Sequence, residues 1–118
     1  MDTSRQEELR ARTKRFALRI IRLFQRLPGS PEAQILGKQL LRSGPSVGAN
    51  YRAARRARSK AEFSSKIGIV VEEADETVFP LECLVESGII KEELLRDLLK
   101  EANELVAIFL ASHRTARS

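Results

Sequence analysis

The sequence is poor in the residues that carry out covalent and redox chemistry. It holds one cysteine, Cys83, and one histidine, His113, in 118 residues. A single thiol closes no internal disulfide, as expected of a protein in a reducing, cytoplasmic setting. Cys83 has no histidine within sequence reach and reads as a small hydrophobe rather than a nucleophile. Tryptophan is absent and aromatics make up 5% of the chain, which leaves few faces for stacking single-stranded bases. No apolar run approaches the roughly 18 residues of a membrane span. The first residues, among them Asp2, Arg5, Glu7, Glu8 and Arg10, are charged where a secretory signal would be apolar. No glycine-rich loop has P-loop spacing. The Glu-x-x-His pairs that a di-iron bundle needs are missing as well. The carboxylates of Glu72, Glu73, Asp75 and Glu76 read as a solvated or salt-bridged face. The expectation is therefore no enzyme, no metal, no cofactor and no small-molecule substrate.

Charge is what the chain has in quantity, and it is unevenly placed. Residues 1–60 carry 15 Lys/Arg against 4 Asp/Glu, a net of +11; residues 61–118 carry 6 against 12, a net of −6. The basic half either faces an anion such as nucleic acid or is neutralised by the acidic half, within a subunit or between subunits.

Apolar residues recur at helical spacing throughout, with no strand alternation and no internal repeat, so the chain reads as one domain over residues 1–118. A first helix is expected over about 5–27. Phe16, Ile20, Leu23 and Leu27 form its apolar stripe, and arginines at 12, 15, 19, 22 and 26 form another stripe on the other side. Pro28-Gly29 stops it. A second helix, about 31–57, starts on Ser30 as cap and Pro31 in the first turn, with Leu36, Leu40, Val47, Tyr51 and Ala54 on one face. A third, about 60–87, opens on the capping sequence Ser59-x-x-Glu62; Phe63, Ile67, Val70, Ala74, Val78, Leu81 and Val85 make its stripe, and Gly88 ends it. A fourth spans about 91–113 on Leu95, Leu98, Ala102, Leu105 and Phe109. Pro45 and Pro80 fall inside the second and third helices, where each removes a backbone donor; kinks are expected there. Gly44 and Gly48, four apart, allow a neighbouring helix to come close. Short connections make consecutive helices antiparallel neighbours, and the fold class is an all-α, up-down-up-down four-helix bundle.

The stretch Leu40–Phe63 concentrates the candidate sites. Arg52, Arg55, Arg56, Arg58 and Lys60 cluster at one bundle end. With Arg42 and with Arg12, Arg15, Arg19 and Arg22 of the first helix, they are the candidate nucleic-acid contacts. Ser46 and Asn50 read as an inter-helix hydrogen-bonded pair fixing register. Tyr51 reads as core. Ile69 and Phe79, opposite the third helix's core stripe, and Ile21 and Phe24, at the edge of the first helix's arc, are candidates for an oligomer interface.

The run RSGPSVGANYRAARRARSKAEF, followed by KIGIVVEEADET, resembles the small four-helix-bundle proteins first noted as products of intervening sequences in bacterial large-subunit ribosomal RNA genes. The accessory protein of diversity-generating retroelements is similar in fold. The resemblance runs from about Phe16 to Phe109 and is densest at Arg42-Ser43, Ser46, Asn50, Arg55-Arg56, Ser59, Glu62-Phe63 and Glu72 to Thr77. It implies an antiparallel bundle assembling as a homopentameric ring, with a poorly defined activity. The retroelement member is associated with nucleic acid and a reverse transcriptase; that partner is not carried over to this chain. The sequence departs from the family pattern at Pro45, which replaces the usual threonine or similar residue, and at Phe79-Pro80, which replaces an aromatic-rich pair. The partners expected are further copies of the chain, a pentamer by resemblance, and RNA or DNA.

Overall fold

Core positions repeat every three and four residues in all four helices of the computed structural model, which describes residues 3–118. The helices are α1 (Thr3–Arg26), α2 (Pro31–Arg55), α3 (Lys60–Glu86) and α4 (Glu92–Arg117), and no strand forms among the described residues. Buried positions are Leu9, Thr13, Phe16 and Ile20 on α1. On α2 they include Ala33, Gly37, Leu40, Gly44, Val47, Tyr51 and Ala54; on α4, Leu95, Leu98, Ala102, Leu105 and Phe109. A strict alternation of threes and fours averages 3.5 residues per turn, the period of a left-handed bundle with interlocking side chains.

The ends of the helices form for local reasons. The Ser30 hydroxyl accepts from the Ala33 amide at 3.4 Å, and the Ser59 hydroxyl accepts from the Glu62 amide at 3.0 Å. Gly88 adopts φ +80°, the left-handed conformation that ends α3 at little steric cost, while the Ile90 amide returns to the Leu84 carbonyl at 3.0 Å. α2 runs unbroken through Pro45, and α3 through Pro80.

The core of α3 is not quite the stripe that apolarity suggests. Thr77 and Leu84 are fully buried, while Val78 and Val85 are only half-buried. Thr77 enters the core because its hydroxyl donates to the Ala74 carbonyl at 2.6 Å. Thr13 and Ser43 do the same, donating to the carbonyls of Leu9 and Gln39, each at 2.9 Å. A hydroxyl satisfied within its own helix leaves only its carbon framework to pack.

Glycines set how closely α1 lies on α2. A Cβ at Gly44 would stand 2.9 Å from Ile20 Cγ1 and Cγ2, and one at Gly48 would stand 3.2 Å from Thr13 Oγ1. At Gly37 the obstacles are the tips of Leu27 and Phe24, at 2.6 and 2.7 Å. Ile20 is branched next to its own backbone and has no exposed surface, so it cannot swing away. Gly44→Ala is therefore expected to destabilise the protein by up to about 2 kcal/mol, the overpacking cost outweighing the gain in helix propensity. Gly29→Ala, with nothing within 4 Å of the added methyl, is expected to be near neutral. Paired thermal melts check both.

Consecutive helices pack along their lengths, whereas α1 and α4 meet over the least surface. That seam is bridged by Arg12, whose Nε donates to Glu101 Oε2 and whose Nη2 donates to Glu101 Oε1, both at 2.7 Å, and to Glu104 Oε1 at 2.6 Å.

Candidate anion-binding surface

The antiparallel register of α1 and α2 decides which cations meet. Thr13 lies against Gly48 and Ile20 against Gly44. Moving back along α1 therefore means moving forward along α2, and Arg10 arrives opposite the last turn of α2. There Arg10, Arg52, Arg55 and Arg56 alone line a cleft of about 360 Å³. Arg55 is half-buried, and its Nη2 donates to Gln6 Oε1 at 2.7 Å. Among the described residues none of the four guanidiniums enters an ion pair. The last-turn carbonyls of α2 supply about half a negative charge, far less than four guanidiniums carry.

The other basic candidates stand differently. Arg12 is closed by two carboxylates, and hydrogen bonding to Glu101 drives its pKa upward beyond its ordinary value, against the opposing effect of burial. Arg42 is paired on the α2–α3 side while its side chain stays more than half exposed: Nη1 donates to Glu73 Oε1 at 3.1 Å and Nη2 to Glu76. These two are neutralised within the chain. The arginine stripe of α1 turns toward α4 rather than toward the α2 cluster: Arg19, Arg22 and Arg26 line a groove of about 410 Å³ floored by Leu23, Ile90, Leu94, Leu95 and Leu98. Arg15 and Arg58 are exposed. Lys60 Nζ donates to the Ser118 carbonyl at 3.0 Å.

Sequence reasoning overlooked Arg10, because the signal lies in the pairing of α1 with α2 and not on either helix alone. It also overlooked Ile35 and Leu94, two of the most exposed apolar side chains, at 60% and 72%. Ser46 and Asn50 do not bond between helices as expected. The Ser46 hydroxyl donates to the Arg42 carbonyl at 2.6 Å, and Asn50 Nδ2 donates to the Ser46 carbonyl at 2.8 Å, both along α2 itself. Of the interface candidates, Phe79 is 67% exposed and Ile69 is exposed, while Ile21 is half-buried and Phe24 packs on the core beside Gly37.

Tyr51 is buried with its ring centroid 5.3 Å from that of Phe109, so it is no platform for a base. Burial pushes its phenol pKa up, with Arg55 and Arg5 pulling it partly back. His113 packs against Gly68, and Cys83 is half-buried beside Phe79, Glu82 and Glu86. Among the described residues, no three His, Cys, Asp or Glu side chains come together as a metal would need. No helix among them is long and apolar enough to cross a membrane.

Fold and surface together define a small all-α bundle with a cleft of four arginines at one end. The chain belongs to the 23S rRNA-intervening sequence protein family, whose pattern its residues 5–111 match. It is also similar to a crystallised protein of unknown function from the S23 ribosomal protein family of Bacteroides thetaiotaomicron. The two are 31% identical and superpose with a TM-score of 0.84 over 92% of this chain and 97% of that one. No curated protein matches the chain.

Proposed function

We propose that the chain is a non-enzymatic, self-associating bundle that binds nucleic acid, or a nucleoprotein, through the arginine surface of α1 and α2. The observation that carries this reading is the cleft of Arg10, Arg52, Arg55 and Arg56, lined by no carboxylate. Guanidinium forks grip phosphate through paired charge-assisted hydrogen bonds. Such contacts give affinity and register without reading sequence. With Tyr51 buried, the backbone is what remains to be held. Self-association has separate support in the exposed Ile69 and Phe79, and repeating a weak cationic patch around an assembly would raise its affinity by avidity.

Titrating single-stranded RNA against salt tests the binding. Four phosphate contacts are expected to give a slope of about −3 in log affinity against log salt, because each contact releases condensed counterions. Affinity that is undetectable at low salt, or flat as salt rises, overturns the reading.

A second reading, a structural module whose basic and acidic faces pair between subunits without nucleic acid, is favoured by one observation. Arg19, Arg22 and Arg26 flank the groove around exposed Leu94, while Glu82 and Glu86 flank exposed Phe79. Under either reading the protein self-associates, and Phe79→Ser is expected to lower the assembly mass seen by light scattering. A monomer at every salt concentration contradicts both.

A further inference from the structure

We infer that the four-arginine cleft is a receptor for the terminal phosphate of a nucleotide, and that the trough beside it seats the attached nucleoside. This rests on the nucleic-acid reading and narrows it from any stretch of backbone to a phosphorylated end.

Two independent features point there. The first is convergence. Arginines that follow a continuous backbone are spread along it, since each strand of a duplex offers one charge per about 3.4 Å of helix axis. Here four guanidiniums share one cleft of about 360 Å³, room for roughly a dozen water volumes. That space suits a compact polyanion rather than a duplex. An internal phosphodiester brings a single negative charge. A terminal monoester brings about −1.5 to −2 at neutral pH and three acceptor oxygens, and a terminal di- or triphosphate brings more.

The second is what adjoins the cleft. A trough of about 300 Å³ runs from it along the α1–α2 contact, walled by Lys14, Ala17, Pro45 and Ala49 above the contact of Gly48 with Thr13, and Arg52 lines both spaces. Gly48 and Thr13 are themselves buried in that contact, because Gly48 has no side chain and α1 lies directly on it. The surface left to meet a sugar or base is therefore the carbon of Ala17, Pro45 and Ala49. Lys14, exposed at the trough's edge, is placed for the second phosphate of a chain. Phosphate, nucleoside and next phosphate thus meet guanidiniums, a mostly apolar shelf and an ammonium in that order.

The test compares oligoribonucleotides of one sequence ending in a 5′-hydroxyl, a 5′-monophosphate or a 5′-triphosphate, by fluorescence anisotropy with the full chain at fixed salt. A 5′-hydroxyl oligomer two nucleotides longer controls for total charge. The phosphorylated ends are expected to bind about tenfold tighter or more, the size of one charge-assisted hydrogen bond, and the longer control does not recover the difference. Arg10→Gln with Arg56→Gln, at two exposed positions, is expected to erase the preference with the helical circular dichroism unchanged. Ala49→Glu, which puts a carboxylate in the trough, is expected to erase it with all four arginines intact. Competition by AMP and ATP identifies the source of the phosphate. Displacement of the labelled oligomer by free nucleotide assigns the site to nucleotides at large, and displacement by phosphorylated oligomers alone assigns it to nucleic-acid ends. Equal binding of all ends overturns the inference and leaves general nucleic-acid binding standing; no binding of any oligomer overturns both.

Discussion

Combining Arg52→Gln, Arg55→Gln and Arg56→Gln is expected to lower the low-salt affinity for single-stranded RNA by a hundredfold or more, at about tenfold for each charge-assisted hydrogen bond to phosphate that is removed. The salt slope should flatten in step, by about 0.7 for each phosphate no longer neutralised. The fold should survive. Arg52 and Arg55 are half-buried and Arg56 is exposed, glutamine retains much of each aliphatic stem, and relieving repulsion among four cations offsets the loss of charge at the end of α2. Arg42→Gln is the informative contrast. Its guanidinium already answers to Glu73 and Glu76, so affinity and slope are expected to stay close to those of the unaltered protein. A general loss of affinity following net charge, whichever arginine is removed, would mean that the cleft has no special standing. Anisotropy titrations at several salt concentrations separate these outcomes.

Phe109→Ala is expected to have the largest effect on stability, about 3–5 kcal/mol. Phe109 has no exposed surface, and its ring meets that of Tyr51 at a 50° tilt. The cavity left would sit in the bundle centre against Tyr51, one turn before Arg55. Domains of this size are stable by about 5–15 kcal/mol, so a large share of the total is at stake. Denaturant unfolding followed by circular dichroism measures it. Phe109→Leu, which fills most of the space, should cost much less, and a similar loss for both would contradict a packing origin. The two sets of substitutions therefore divide: one removes binding and keeps the fold, the other weakens the fold through a buried ring that carries no charge.

Much of this architecture is visible in the residues themselves. Ser30, Ser59 and Gly88 mark helix ends because each acts on backbone groups a few residues away. The stripe Leu95, Leu98, Ala102, Leu105 and Phe109 marks the inner face of α4 because apolarity and period agree there. Where they disagree, the sequence misleads. Thr77 looks polar and Val78 apolar, yet Thr77 is the one buried, since a hydroxyl bonded to its own helix hides its polarity. Ser46 and Asn50 mislead in the opposite way. Their polarity suggests a bridge between helices, but a nearby carbonyl on α2 is a partner available at lower entropic cost.

Charge is the least legible property, because its meaning depends on what stands opposite. Arg12 and Arg10 are two residues apart on α1. One faces Glu101 and Glu104, and the other faces three more arginines. The spacing of α1 puts them on different faces, but only the register with α2 and α4 decides which face meets carboxylates. The opposite charges of the two halves of the sequence suggest either mutual neutralisation or a free basic face. Both occur, at different arginines: Arg12 and Arg42 are neutralised within the chain, and the cleft is not.

The most direct test of that division is to observe the guanidinium groups individually during RNA titration, through the side-chain nitrogen and carbon resonances of arginine at low salt. The resonances of Arg10, Arg52, Arg55 and Arg56 are expected to shift together and saturate with the binding curve, while those of Arg12 and Arg42 stay in place. Shifts confined to Arg12 and Arg42, or spread evenly over every arginine, would contradict the account.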